Sequence, residues 1–367
     1  MVDRVSTSGK YAQLVADMQQ NLINYNRITA QLTSGHKVIN ITDDPIAAVN
    51  IINTNRQLGQ IDTFSTNVEM AKSELSALDD LMTLATGYLS SAWDRAVQAS
   101  NQTYGNDSLE AIKVEIDETI KTMVDLANTE YNDNYIFGGA NTKITPYTID
   151  DNGNIIYNGT PYDNPDYIRQ TEVADGVFEV INTTGDRVFG YYEAVQETTA
   201  DGKNVYTDAD GRRVIETVEA DGSKTYAYED DGTAYAGDVA DLKVSVAEEN
   251  YSGVLGAMKL LSNSIQMILD GDTEAGYEQM NATLDMFDSS MRMITEEQTK
   301  FGGVYNRLEM TTSTLDTNNT NLTAYLSEIQ DVDLTTAITD WYMAQYAYQA
   351  SLQVSSASMG MSLLNYL

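Results

Sequence analysis

The 367-residue chain contains no cysteine, one histidine (His36), four prolines and no run approaching eighteen consecutive apolar residues. Each scarcity closes off a class of function. Without cysteine there is no disulfide framework, no thiolate zinc site and no thiol nucleophile. With one histidine, a Ser-His-Asp arrangement could be built only around His36, and an H-E-x-x-H zinc motif cannot occur. The apolar runs are too short for a membrane-spanning helix, and residues 1–13 hold no apolar stretch of a secretory signal. The expectation is a chain that stays in the cytoplasm or leaves by a route that reads no cleavable signal. The prolines, Pro45, Pro146, Pro161 and Pro165, leave residues 46–145 and everything beyond 165 free to form very long helices.

Positive charge is also scarce. Against 55 Asp and Glu stand 21 Lys and Arg, a formal net charge of −34. Phosphate recognition needs clustered Lys and Arg, so neither nucleic acid nor an anionic membrane is expected as a partner. Within residues 147–249 no paired carboxylates at helical spacing, metal-ligand cluster or phosphate loop appears, and no cofactor or catalytic site is expected. The trio Asp208, Asp210 and Gly211 resembles part of a calcium loop but lacks the other ligands and the closing Glu, so it reads as hairpin-turn chemistry. His36, beside Gly35, reads as a solvated turn residue.

What the chain has is heptads at both ends. Tyr11, Met18, Tyr25 and Leu32 recur every seven residues, with Leu14, Leu22 and Ile28 or Thr29 between them. Near the other end Ile338, Gln345, Leu352, Met359 and Tyr366 repeat the pattern, flanked by Trp341 and Tyr348. Such narrow apolar stripes require partner helices. Between the ends, steps of three and four mark further helices: Val68 to Ala92, Ile112 to Leu126, Val254 to Ile268, and Tyr277 onward to Leu326. Unbroken, the last would run roughly 80 Å at 1.5 Å per residue. Gly302 and Gly303 within it read as a kink or a place of close backbone approach. Gly35 stops the first helix, Asp44 caps the second and Pro45 occupies its first position, with Asp43 in the linker.

From Pro146 to about Glu249 the pattern changes to short alternating segments broken by Asn-Gly and Asp-Gly pairs at 152, 158, 175, 201, 210, 221 and 231. These suit tight hairpins. This stretch carries 23 acidic against 7 basic residues, nearly half of the net charge. The predicted fold is mainly α with an inserted β domain: an elongated rod of long antiparallel helices formed by both termini, with a β-rich domain in the middle. The expected parts are 1–40 with 330–367 as a terminal coiled-coil layer, 41–146 with 250–329 as a helical bundle, and 147–249 as the inserted β domain.

Several motifs then converge. Arg4-Val5-Ser6-Thr7, Gln31-Leu32-Thr33-Ser34-Gly35-His36-Lys37-Val38-Ile39-Asn40 and Thr42-Asp43-Asp44-Pro45 resemble the N-terminal region of the bacterial flagellin superfamily. So do Ala96 to Asn101, Asn306-Arg307-Leu308-Glu309 and Leu326 to Leu334 in their places. Within that superfamily, two features resemble the hook–filament junction branch: the Phe137-Gly138-Gly139 segment, expected as a hairpin after the helical pair, and the ending Leu363-Leu364-Asn365-Tyr366-Leu367. A filament flagellin is the alternative. The resemblance implies a structural subunit of the bacterial flagellum, located outside the cell and exported unfolded through the flagellar type III apparatus. It also implies a ring of identical subunits, a neighbouring hook-associated protein on the hook side, flagellin on the filament side, and an export chaperone on the C-terminal region. The packing residues would be Tyr11, Leu14, Met18, Leu22, Tyr25, Ile28, Leu32, Ile338, Trp341, Tyr348, Leu352, Met359, Leu363, Tyr366 and Leu367. Two isolated helices bury little, so these stripes are expected to pack between subunits and to order on assembly. An ordinary coiled coil within one chain is the other possibility for them.

Overall fold

Proline-free sequence becomes helix of unusual length. The computed structural model describes residues 7–101, 104–150, 152–208, 210–219 and 222–364. Its long helices are α1 (Thr7–Ser34), α2 (Pro45–Ala99), α3 (Asn106–Ala127), α5 (Gly253–Asp270), α6 (Thr273–Gln330) and α7 (Leu334–Leu364), with a single turn, α4 (Gly185–Val188), in the middle of the chain. By their internal contacts the residues divide into two compact units, 1–65 with 312–367 and 66–311.

The second unit is built on two rows of side chains. Along α2, Val68, Ala71, Leu75, Leu78, Met82, Ala85, Leu89, Ala92, Ala96 and Ala99 are all buried. Along α6 the matching row is Met280, Thr283, Phe287, Ser290, Ile294, Glu297, Phe301, Val304 and Leu308. Both rows step by three and four without a slip, the spacing that keeps a straight seam facing one partner. The helices run antiparallel: Gln298 donates to Asp79 and Thr83, and the Lys72 ammonium lies 5.6 Å from the Tyr305 ring. α3 and α5 form the other antiparallel pair, with Ile112, Ile116, Ile120 and Met123 against Met258, Leu261 and Ile265 as their buried faces. Gly302 and Gly303 lie inside an unbroken helix, and a Cβ at either would meet nothing within 4 Å. The close backbone approach expected of them is absent, and the helix runs through both without a break.

β structure occupies a wider stretch than 147–249, from Glu130 to Ser252. It begins with a two-stranded hairpin, β1 (Glu130–Tyr131) and β2 (Asn134–Tyr135), whose turn residues Asn132 and Asp133 have φ of 51° and 59°. One four-stranded antiparallel sheet has the order β12-β7-β4-β3, from β3 (Tyr147–Ile149), β4 (Ile155–Tyr157), β7 (Tyr191–Gln196) and β12 (Val246–Ser252). A second has the order β10-β9-β8-β11, from β8 (Val205–Thr207), β9 (Arg213–Val218), β10 (Lys224–Tyr228) and β11 (Lys243–Val244). The hairpin β5 (Gln170–Ala174) with β6 (Val177–Val180) stands apart from both. The glycines of six Asn-Gly and Asp-Gly pairs adopt positive φ, as tight turns require. The exception is Asn158-Gly159, where Gly159 lies under the Tyr157 ring rather than at a turn.

Three arginines moor the β segment to the bundle. Arg169 pairs with Glu74 on α2, Arg307 on α6 pairs with Glu179 on β6, and Arg187 on α4 reaches Glu296 at 3.0 Å and Glu297 at 3.4 Å. Glu297 occupies a seam position of α6, 2% exposed, and its carboxylate also accepts from Thr183 and pairs with Lys300. Where the chain returns to the bundle, Gly190 (φ +72°) and Gly253 (φ +61°) cross backbone on backbone, and Leu255 N–H donates to Phe189 C=O. A Cβ on Gly190 would lie 1.9 Å from Ser252 O. Gly190→Ala should therefore cost about 3–5 kcal/mol of stability. Gly302→Ala, in open space inside a helix, should add about 0.5–1 kcal/mol. Urea unfolding followed by circular dichroism checks both, and a neutral Gly190→Ala would refute the crossing.

Candidate functional site: the paired terminal helices

The site is built from α1, α7 and the two turns at their bases. Gly35, at φ +75°, ends α1, its N–H donating to Gln31 C=O. The chain then crosses the α6–α7 turn: Lys37 N–H donates to Gln330 C=O at 2.7 Å and Val332 N–H to Gly35 C=O at 2.9 Å, around a bridge between His36 and Asp331. Side chains fasten the same place. The His36 ring meets the Asp331 carboxylate at 3.2 Å, Ser327 donates to Asp331, and the Lys37 ammonium donates to Glu328 C=O. His36 is thus a cross-link between distant turns as well as a turn residue.

Carboxylates start both following helices. Asp43 accepts from the N–H groups of Ile39 and Asn40, folding the linker, and Asp44 accepts from Ile46 and Ala47, with Pro45 as the first residue of α2. Asp333 caps α7 through Thr335 and Thr336, a role missed in the sequence although Asp before Leu-Thr-Thr and an apolar repeat is a cap signal. The Ser327 hydroxyl, then His36, hold the Asp331 carboxyl below its ordinary 3.8, while Thr336 and its neighbours do the same for Asp333.

Above the turns, α1 and α7 pack along their lengths. Tyr25 stacks with Tyr348 at 6.2 Å and leans on Trp341 at 5.8 Å, and the Trp341 indole N–H donates to the Thr29 hydroxyl at 2.9 Å. On α1, Ile28 is buried and Leu14, Met18, Tyr25 and Leu32 are half-buried, as a packing stripe requires. Leu22 is exposed, off the stripe. On α7 the inward row is Ala337, Trp341, Ala344, Tyr348 and Ser351, one residue away from the expected heptad. Ile338 and Leu352 lie beside this row, off the face toward α1, and are 47% and 42% exposed. The reason is steric: alanines at 337 and 344 let the backbones approach while Trp341 and Tyr348 fill the seam. The alanines, spaced by seven, were the available signal. The side chains of Tyr11, Met359 and Leu363, and the whole of Tyr366 and Leu367, lie outside the described residues.

The outward side of α7 carries many large apolar side chains among small polar ones. Leu334, Ile338, Tyr342, Met343, Tyr346, Leu352 and Val354 are exposed, and Asp340 is the helix's one charged residue. In unit 1 Ile46, Val49 and Ile52 on α2 are exposed as well. A helix apolar on all sides belongs in an interior. No helix among the described residues is long and apolar enough to cross a membrane.

The Phe137-Gly138-Gly139 segment is placed differently from expectation. The hairpin turn is Asn132-Asp133, and the three residues follow it as an anchor. Phe137 is fully buried, edge-on to Phe189 at 4.8 Å, Gly138 bridges to Thr184, and a Cβ on Gly139 would lie 2.8 Å from Thr160 O. Among the described residues, no three His, Cys, Asp or Glu side chains gather as a metal site. Asp208 spends its carboxylate on the N–H groups of Asp210 and Arg212 within its hairpin.

Long helices from both ends of the chain, paired by heptads and leaving an apolar face uncovered, define a protein of assembly rather than of catalysis. Two family models match in the corresponding places, the bacterial flagellin N-terminal helical region over residues 5–142 and the C-terminal helical region over residues 284–367. The chain belongs to the bacterial flagellin family, as a structural component of the flagellum and not an enzyme. It is 23% identical to flagellar hook-associated protein 3 of Escherichia coli (strain K12), over 98% of both chains. A solved hook-associated protein 3 from Legionella pneumophila superposes with a TM-score of 0.55 at 18% identity, covering 76% of this chain and 98% of that one. A flagellar junction protein from the same organism gives 0.50 at 17% identity, covering 78% and 100%. About a quarter of this chain thus extends beyond the solved fold.

The carboxylates of the two turns make a testable pH dependence. Because Asp331 and Asp333 are held below 3.8, their contribution is present above that pH and is lost as the pH falls beneath it. Amide protection at Lys37 and Val332, corrected for intrinsic exchange, should drop in that window, and Asp331→Asn should remove much of the drop. Trp341→Ala should loosen the α1–α7 pair by about 1–3 kcal/mol, less than full burial would cost. Ile338→Ala should stay within about 0.5 kcal/mol. Equal effects in local-unfolding measurements would overturn the assigned faces.

Proposed function

We propose that this chain forms the junction ring between the flagellar hook and the filament. The supporting observation is its end-to-end match to hook-associated protein 3, at 98% of both chains, combined with the uncovered apolar face of α7. In this reading the terminal pair orders fully when copies associate, each presenting Ile338, Tyr342 and Leu352 to a neighbour while Trp341 and Tyr348 hold α1. Residues 1–40 with 330–367 then act as the inner layer, the bundle as the body of the ring and the β segment as its outer part. One face of the ring meets a hook-associated protein and the other the first flagellin subunits. Export proceeds unfolded through the type III channel, to the outside of the cell and without a cleavable signal. A chaperone covers the C-terminal region until then, a reading supported by the single charge and exposed apolar side chains of α7.

Deleting the gene should leave hooks without filaments and flagellin in the medium. Hooks carrying junction proteins but lacking only the main filament would instead make the chain a flagellin. A complementing Ile338→Asp copy should fold, by circular dichroism, yet fail to restore filaments. Normal filaments with that copy would remove the α7 face from the assembly.

A further inference from the structure

Lys259 is anomalous among the lysines. It lies on α5 between buried Met258 and Leu260, and its ammonium packs against the backbone of the β3–β4 turn, 3.0 Å from where a Cβ on Gly153 would stand. Its other contact is the Tyr192 ring at 5.8 Å. Among the described residues, Lys37, Lys72, Lys113, Lys121, Lys143, Lys224, Lys243 and Lys300 each have an oxygen partner within 4.0 Å. Lys259 has none, though it is half-buried. It opens on a cavity of about 240 Å³ whose walls are Ile120, Ile149 and Ile155, with Asp117 and Lys121 at its sides.

We propose that Lys259 is a covalent acceptor site for small carbonyl compounds, its ε-amine condensing with a short-chain aldehyde held against the isoleucine walls. The nitrogen lone pair forms the C–N bond. The two amine hydrogens and the carbonyl oxygen leave as water, and the product is an imine. An apolar wall favours the dehydrated product, and the volume admits a chain of a few heavy atoms. A bound anion fits less well, because Lys113 and Lys121 are already paired with Asp117 and Glu118 while Asp150 and Glu249 add negative charge.

The electrostatics agree with a nucleophilic amine. Burial pushes the Lys259 ammonium below its ordinary range, and Lys113 on α3 adds to this. Asp117 on α3, Asp150 at the end of β3 and Glu249 on β12 oppose it. More free amine is then present at neutral pH than at an exposed lysine.

The test uses the full-length folded chain at pH 7 with limiting propionaldehyde and cyanoborohydride, which traps the imine as a propyl-lysine mapped by peptide mass spectrometry. Lys259 should be labelled first and several-fold faster than exposed Lys203. The preference should vanish in urea, which removes the walls that hold the aldehyde. In Lys259→Arg the rates at the other lysines should stand unchanged. Labelling of Lys259 no faster than Lys203, or the same preference in urea, would overturn the proposal.

Discussion

The rows Val68 to Ala99 on α2 and Met280 to Leu308 on α6 must both stay dry, and most of the second unit follows from that demand. A seam of strict three-and-four steps fixes which face of each helix meets the other, because turning either helix by one residue would put its row into solvent. Once the register is set, Gln298 falls opposite Asp79 and Lys72 opposite Tyr305. The ends of α3 and α5 are then placed where the β segment must leave and return. The crossing of Gly190 and Gly253 is the tight point of that return, and a side chain there has no room.

Against so acidic a chain, the few cations are placed where they matter. Arg169, Arg187 and Arg307 each join the β segment to a bundle helix through a carboxylate. Glu297 shows how such a mooring enters a core. A lone carboxylate at a seam position would be costly, but Arg187, Lys300 and Thr183 satisfy it together. The site reads in sequence as a flaw in the heptad and in the fold as a bolt between two layers.

The terminal pair has the opposite economy. Small alanines and two aromatics face α1, while larger aliphatic and tyrosine side chains face away. A helix pair optimised for itself would invert that choice and bury its isoleucine and leucine. The observed arrangement keeps the pair together with modest contacts and turns outward the residues that gain most when covered. This agrees with a chain whose family works by assembly.

By itself the sequence determined the helices, their caps and the β character of the middle. Proline-free heptads, Gly35, Asp44 with Pro45, and the Asn-Gly and Asp-Gly pairs are local signals whose physics lies within a few residues. It also ruled out cysteine chemistry, and its motifs carried the family. Tertiary structure decided which side of a nearly uniformly apolar helix faces inward. Ile338 and Ala337 differ by one position, and only the space left by α1 chooses between them. It likewise decided that Phe137 anchors while Asn132-Asp133 turns, and that His36 meets Asp331 across 295 residues. Such contacts join residues distant in sequence, so no local pattern records them, and the packing that creates them also selects them.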